Sequence, residues 1–303
     1  NLAMLIPPVG YEGWKVRTIG DDIAWLHMDE SGQIWAINPE AGYFGVVPGT
    51  NEDDNENAYK AIQSNAIFTN VGLTDNNEPW WEGKKDGNPT IDWKGDEISA
   101  DEGVFAHPNS RFTVSAKNNP KYSNLADSPS GVPICAIVFG GRRSELAPLV
   151  YESKDWKHGV LVGASVGSET TAAATGEVGI VRRDPMAMKP FCGYNFADYW
   201  SHWLSFSGQS ERLPKIFHVN WFRKNDNGFI WPGFGDNLRV LEWIIKRCQN
   251  KIEALETPIG FLPNANDIDT KGLEITDESM ADLFDIDQNQ WLQEMDSIKD
   301  YFS

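Results

Sequence analysis

The sequence predicts a mixed α/β domain, and three observations carry that prediction. Two apolar runs, 134–139 and 159–165, read as buried strands, because a strand covered on both faces loses its polar alternation. The segment 237–249 has helical spacing: Leu238, Leu241, Ile244 and Ile245 share a face, Asp236 or Asn237 can cap the start, and Lys246 and Arg247 suit the negative end. A turn signal at Glu30, Ser31 and Gly32 separates two extended pieces, 23–27 and 33–37, as in a hairpin.

The remaining elements follow along the chain. A short strand over 15–19 is expected to stop at Gly20, Asp21 and Asp22. An acidic loop at 51–57 leads into a helical turn or two at 58–65. Extended pieces follow at 67–71 and 80–83, then an exposed polar stretch at 86–101 and a Ser/Pro/Asn/Asp loop at 120–133. The apolar run 134–139 ends at Gly140 and Gly141 and delivers Arg142 and Arg143. Helical spacing recurs at 196–206, 277–284 and 288–302, and 216–219 is a strand. No internal repeat or linker is visible, so 1–303 reads as one domain.

Composition narrows the function. Hydrophobic residues make up 41 % of the 303, with 13 Trp, enough for a large core. Twenty-six basic against 44 acidic residues leave a net charge of -18, which excludes a general nucleic-acid or anionic-membrane binder. A few arginines can still make a local phosphate pocket. Cys135, Cys192 and Cys248 are widely spaced, which is neither a disulfide framework nor a zinc set, and a reducing compartment fits. No run approaches the ~20 apolar residues of a membrane span, and no signal peptide is visible.

The segment 217–237 is the most informative. It interleaves Trp221, Phe222, Phe229, Trp231 and Phe234 with Gly228, Gly233 and Gly235. Two readings fit: a loop whose flat side chains stack on a nucleobase, with Asn237 reading its edge, or an aromatic cluster under a long loop. Asp21 and Asp22 close a strand, where carboxylates meet phosphate-bound metal in nucleotide-handling folds; an ordinary Asp-rich turn is the alternative. Arg111, Arg142 and Arg143 beside strand ends and glycines suit either an anion or a surface ion pair. His107 suits a hydrogen-bonded structural role or a ligand. The small-residue segment 165–179 suits a lid, which small side chains make cheap to open and close, or an Ala-rich surface loop.

Taken together, these segments resemble the GTP-dependent phosphoenolpyruvate carboxykinases. The likeness runs through Gly20, Asp21, Asp22, Ile23, Ala24 and Trp25, then Ile37, Asn38, Pro39 and Glu40, then His107, Pro108, Asn109, Ser110, Arg111 and Phe112. It continues through Phe139, Gly140, Gly141, Arg142 and Arg143, through 148–152, 168–174 and 184–196, and through the whole of 213–237. Nearly the full chain is covered. Lys189 departs from the Arg found in many members.

The resemblance implies the C-terminal, nucleotide-binding, kinase-like domain of that family and the reaction oxaloacetate plus GTP giving phosphoenolpyruvate, GDP and carbon dioxide. In the family a Gly-Lys-Thr phosphate loop is followed by Asn-Leu-Ala-Met, and this chain opens on Asn1, Leu2, Ala3 and Met4. The chain is therefore expected to be a C-terminal half, inactive alone, with the phosphate loop and substrate domain outside it. The resemblance makes Asp22 a manganese ligand, with Asp21 beside the metal (magnesium or manganese) that accompanies GTP. It places Asn109, Ser110 and Arg111 at the substrate and phosphoryl site. Asn1 and Arg142 would meet the nucleotide, and Arg111, Arg142 and Asp21 would take catalytic roles. Phe222, Phe229 and Phe234 would sandwich guanine, with Gly235, Asp236 and Asn237 at its edge and Trp221 and Trp231 buttressing from behind. The lid would span about 164–176, including Ser168, Glu169, Thr170, Thr171 and Ala172. A cytoplasmic monomer acting in gluconeogenesis or anaplerosis is implied. The other readings are a non-catalytic guanine-nucleotide sensor and an aromatic carbohydrate module, the latter disfavoured because neutral sugars need neither the Asp pair nor the arginines.

Overall fold

The computed structural model describes residues 2–53, 55–99, 101–170 and 178–303. The chain divides into two compact units. Residues up to His27 with Trp35–Val132 form one, and Met28–Ile34 with Pro133–Ser303 form the other.

The first unit is built around an antiparallel sheet with Arg111–Ser115 between Gly42–Val46 and Ala66–Thr69. Along the middle strand Phe112 and Val114 turn inward while Thr113 and Ser115 stay exposed, the period of two that a half-buried strand requires. The inward face meets Met4, Tyr43, Val47, Ile62 and Trp81. The short helix Glu56–Ala61 adds Ala58 and Ala61 to that core. A smaller sheet joins Pro79–Trp80, Gly72–Thr74 and Pro89–Ile91.

The strand expected over 15–19 does not form. Only an isolated bridge links Thr18 to Tyr122. Thr18 donates its N–H to the Lys121 carbonyl at 3.0 Å and its hydroxyl to the Ala3 carbonyl. Lys15 and Arg17 are exposed, so water satisfies the backbone around them and no ladder is needed. The turn at Glu30, Ser31 and Gly32 is present between the strands Trp25–Met28 and Ile34–Ile37. The Asp29 carboxylate closes it, accepting from the N–H groups of Ser31 (2.9 Å) and Gln33 (3.0 Å).

The second unit holds a five-stranded sheet in the order Ala136–Gly140, Lys215–Val219, Val150–Glu152, Gly260–Leu262, Leu255–Thr257. Its first pair is parallel and the others antiparallel. The strand Lys215–Val219 is buried on both faces. Ile216 packs with Trp156, Val160 and Trp203. Phe217 and Val219 pack with Val240, Trp243 and Ile244. Helices thus cover both sides of the sheet, and the mixed α/β class is realised.

The run 159–165 is helical, not a strand: it forms the end of the helix Trp156–Ala164, with Ser165 its C-cap. An apolar run this short fits a buried strand or a buried helix equally well. The deciding features are the Asp155 cap, which accepts the His158 N–H at 2.8 Å, and two glycines one turn apart. A Cβ on Gly159 would lie 2.5 Å from Ile216 Cδ1, and one on Gly163 would lie 2.5 Å from Phe139 Cε2. The glycines let the helix press onto the sheet.

The other helices, Phe196–Ser205, Asn237–Cys248, Asp277–Phe284 and Gln288–Phe302, lie where their spacing predicts. Asn237–Cys248 buries Leu238, Val240, Trp243 and Ile244, so its inner face is turned from the predicted one and Leu241 and Ile245 are half-buried.

Candidate functional site

In the second unit the aromatic segment leaves the buried strand Lys215–Val219 at Asn220, which is completely buried. Its Nδ2 donates to the carbonyls of Arg143 (2.9 Å) and Ala147 (2.8 Å), and its Oδ1 accepts from the N–H groups of Arg143 and Phe222, both at 3.2 Å. One carboxamide therefore fixes the arginine loop and the start of the aromatic loop together. Sequence reading passed over Asn220; an Asn directly after a buried strand was the available signal.

A small hairpin follows, Lys224–Asn225 paired with Gly228–Phe229. Gly228 has φ +112°, a conformation that L side chains rarely adopt. Phe222 and Phe234 are half-buried and Phe229 is 55 % exposed, whereas Trp231 is 2 % exposed. The Phe222 and Phe229 rings meet edge-to-face, 6.0 Å apart at 71°. Lys224 Nζ stands 4.8 Å over Phe229, and the Arg142 guanidinium stands 3.8 Å from the Phe222 centroid. Trp231 Nε1 donates to Asn237 Oδ1 at 2.9 Å, so the amide nitrogen of buried Asn237 faces away from Trp231. Phe234, Gly235 and Asp236 form one 3₁₀ turn before the helix. Asp236 accepts from Arg239 Nε at 2.9 Å rather than capping that helix, and Gly235 is exposed.

The two adjacent arginines diverge. Arg143 donates both terminal nitrogens to Glu294, at 3.0 and 3.3 Å, and Arg183 donates to the same carboxylate at 2.7 Å. Arg142 has no ion-pair partner among the described residues. Its N–H donates to Ser168 Oγ (3.1 Å) and its carbonyl accepts from Glu169 N–H (2.8 Å). A Cβ on Gly141 would lie 2.2 Å from the Gly167 carbonyl oxygen, so the glycine before Arg142 is a packing requirement. Gly167–Glu169 pairs with Val181–Arg183, and Thr170 extends that pairing to Gly179 and Ile180. Of the expected lid, Ser168, Glu169 and Thr170 thus form a hydrogen-bonded root, while Thr171, Ala172 and the rest of 171–177 lie outside the described residues, as does Asn1.

In the first unit Asp21 and Asp22 border a recess of about 480 Å³ with Leu2, Ile19, Ile37 and Asn38. Asn38 Nδ2 ties the carbonyls of Ile19 and Glu40, both at 2.9 Å. Partial desolvation first, then the like charges of Glu40 and Asp22, push the Asp21 carboxyl up to about 6. Among the described residues no trio of His, Cys, Asp and Glu is grouped to hold a metal by itself.

Elsewhere in that unit His107 is a structural residue. Its Nδ1 accepts from Asn109 N–H (3.0 Å), its carbonyl accepts from Ser110 N–H (2.8 Å), and its ring meets Trp93 edge-on. Asn109 is exposed, and Ser110 is completely buried with its hydroxyl unpartnered among the described residues. Arg111 opens the strand Arg111–Ser115, opposite Val46 and Thr69, with its guanidinium 5.3 Å over the exposed Phe44 ring.

The family model for the phosphoenolpyruvate carboxykinase C-terminal P-loop domain matches residues 1–303. The chain belongs to the GTP-dependent phosphoenolpyruvate carboxykinase family. The phosphoenolpyruvate carboxykinase [GTP] of Anaeromyxobacter dehalogenans is 51 % identical over 306 residues, covering 100 % of this chain and 51 % of that protein. The Chlamydia muridarum enzyme of the same name is 51 % identical over 307 residues, and the Thermoplasma volcanium one 50 % over 307, covering 100 % of this chain and 51 and 52 % of those proteins. The chain spans about half the length of the curated relatives it matches. The fold is consistent with the α/β nucleotide-binding, kinase-like domain of the carboxykinases. Among the described residues of this carboxykinase domain, no helix is long and apolar enough to cross a membrane.

Proposed function

We propose that this chain carries the nucleotide- and metal-directed groups of a GTP-dependent phosphoenolpyruvate carboxykinase, which turns oxaloacetate and GTP into phosphoenolpyruvate, GDP and carbon dioxide. The observation that carries this reading is Arg142, a guanidinium without an ion pair among the described residues, 3.8 Å over the Phe222 ring. A positive charge beside a half-exposed aromatic loop suits a ligand that has both a flat base and an anionic tail. Arg142 meets the phosphates. Phe222, Phe229 and Phe234 stack on the base, while Trp221 and Trp231 support them. The Asn237 amide nitrogen, left free of Trp231 because Oδ1 takes that bond, donates to a purine carbonyl oxygen. Guanine has that acceptor and adenine carries a donor there, so the same group discriminates between them. Backbone groups near Gly235 and Asp236 complete the edge.

Asp22 and Asp21 fit a divalent cation. They are hard oxygen donors beside Glu40, and the Asp21 carboxyl is raised first by desolvation and then by the like charges of Glu40 and Asp22, which a bound cation would offset. They would hold manganese, or the magnesium or manganese that travels with GTP. Such an ion supplies stabilisation for an oxyanion that develops as carbon dioxide leaves. Asn109 and Arg111 line the substrate side with buried Ser110 behind them, and the Arg111 fork orients carboxylate and phosphoryl oxygens. Breaking the carbon–carboxylate bond leaves its electron pair in an enolate, whose oxygen takes the γ-phosphoryl group. The segment expected as a lid, about 164–176, would close beyond the hydrogen-bonded root at Ser168, Glu169 and Thr170 and keep water from protonating the enolate to pyruvate. A cytoplasmic monomer is the setting we infer.

The test is a manganese-dependent assay of the full protein with GTP and then ATP. Phosphoenolpyruvate formed from oxaloacetate with GTP only is the expected result; equal rates with both nucleotides would remove the Asn237 assignment. Arg111→Ala should lower turnover far more than it weakens GTP binding, and equal losses in both would argue against a transition-state role. The isolated chain should bind GDP without turnover.

A further inference from the structure

We propose that Cys135 and Cys248 form a redox-active dithiol, with Cys135 the attacking thiol and Cys248 the resolving one. The three cysteines are all free thiols. Cys135 lies just before the strand Ala136–Gly140, and Cys248 ends the helix Asn237–Cys248. The fold brings them together at one backbone group: the Cys135 carbonyl accepts from Lys215 N–H at 3.1 Å and from Cys248 Sγ at 3.3 Å. Cys135 is exposed and Cys248 half-buried, so a soluble disulfide meets Cys135 first.

The electrostatics divide the two roles. The nearby Cys248 side chain outweighs desolvation and pulls the Cys135 thiol down to about 6, while Cys135 in turn raises the Cys248 thiol. The charged groups around the pair are Lys215 and Glu152, paired to each other at 2.7 Å, with Glu152 also accepting from Arg247, next to Cys248. Cys192 has a different setting: its Sγ contacts the Tyr194 carbonyl at 3.4 Å.

The chemistry balances with a glutathione-type disulfide as the oxidant. The Cys135 thiolate attacks one sulfur of the oxidant, forming a mixed disulfide and expelling one glutathione thiolate. Cys248 then gives up its proton and attacks the Cys135 sulfur, closing the Cys135–Cys248 bond and releasing a second glutathione. Two protein thiols are oxidised and one disulfide is reduced to two thiols. This inference is independent of the nucleotide reading. The strand beyond Cys135 leads to Arg142 at its other end, and the helix that ends at Cys248 begins at Asn237, so the dithiol lies at the opposite ends of both elements.

The experiment treats the native chain with oxidised glutathione, alkylates the remaining thiols and maps the peptides by mass spectrometry. The expected product is a Cys135–Cys248 cross-link with Cys192 alkylated. Cys248→Ser should accumulate glutathione on Cys135, and Cys135→Ser should give neither cross-link nor a comparable adduct on Cys248. If either variant does not fold, the wild-type time course serves instead, with the Cys135 adduct preceding the cross-link. Relative to an ordinary exposed thiol, Cys135 should alkylate about twofold faster at pH 7 and about tenfold faster at pH 6, the gain in thiolate being partly offset by lower nucleophilicity. Absence of the cross-link, or glutathione appearing on Cys192 as fast as on Cys135, overturns the proposal.

Discussion

Glu294 is the carboxylate whose loss the second unit should feel most. It projects from the helix Gln288–Phe302 and accepts from Arg143 twice and from Arg183 once. All three side chains are only 11–12 % exposed. Replacing Glu294 by Ala strands two guanidinium groups in a poorly hydrated place. Removing one partner of such a buried pair costs about 3–5 kcal/mol, and the residual exposure argues for about 3. With each kcal/mol worth about 2–4 °C in a unit of this size, the melting temperature should fall by roughly 6–12 °C. Glu294→Gln keeps an acceptor and should cost less. The measurement is thermal unfolding followed by circular dichroism. The pH dependence has a fixed sign. Burial alone would raise the Glu294 carboxyl, but the bonds from Arg143 and Arg183 outweigh it and hold it below its ordinary 4.5. Its contribution is therefore present above about pH 4.5 and fades as pH falls through the depressed value, so wild type and Glu294→Ala should converge in acid. A melting shift under about 2 °C at neutral pH, where the cost is expected in full, would refute the reasoning.

The other predictions follow from exposure and pairing. Arg142→Ala should weaken guanine-nucleotide binding by roughly tenfold or more with little change in melting, whereas Arg143→Ala should do the reverse; calorimetry and melting on both variants test the split. Phe229, 55 % exposed, should be nearly neutral for stability when changed to Ala, yet cost about 1–3 kcal/mol of nucleotide binding through lost stacking. Asp21, with its carboxyl near 6, must lose its proton to bind a cation. Manganese affinity should therefore fall as pH drops through about 6, and Asp21→Asn should remove that step; a pH-independent titration of the wild type would contradict it.

Much of the fold was readable because periodicity and caps are local. The helices Asp277–Phe284 and Gln288–Phe302 lie at the predicted residues, with Thr276 and Asp287 accepting backbone N–H groups at their starts. The run 159–165 was misread because even its exposed position, Leu161, is apolar, so the run shows no polar face to separate a period of 2 from one of 3.6. The short piece at 15–19 had strand composition but no partner beyond one bridge.

By itself the sequence determined the family, the element types of the long periodic segments and the aromatic, Gly-rich character of the loop at 217–237. Each depends on residue identity and near-neighbour spacing. Only the tertiary structure decided which arginine of the Arg142, Arg143 pair is neutralised, because Glu294 lies far along the chain. It alone turned the Asn237 amide through Trp231 Nε1 and pinned two loops with Asn220. It also brought Cys135 to Cys248, which spacing had set apart. Pairing energies depend on distance in space, and distance along the chain fixes them only within a helix or a turn.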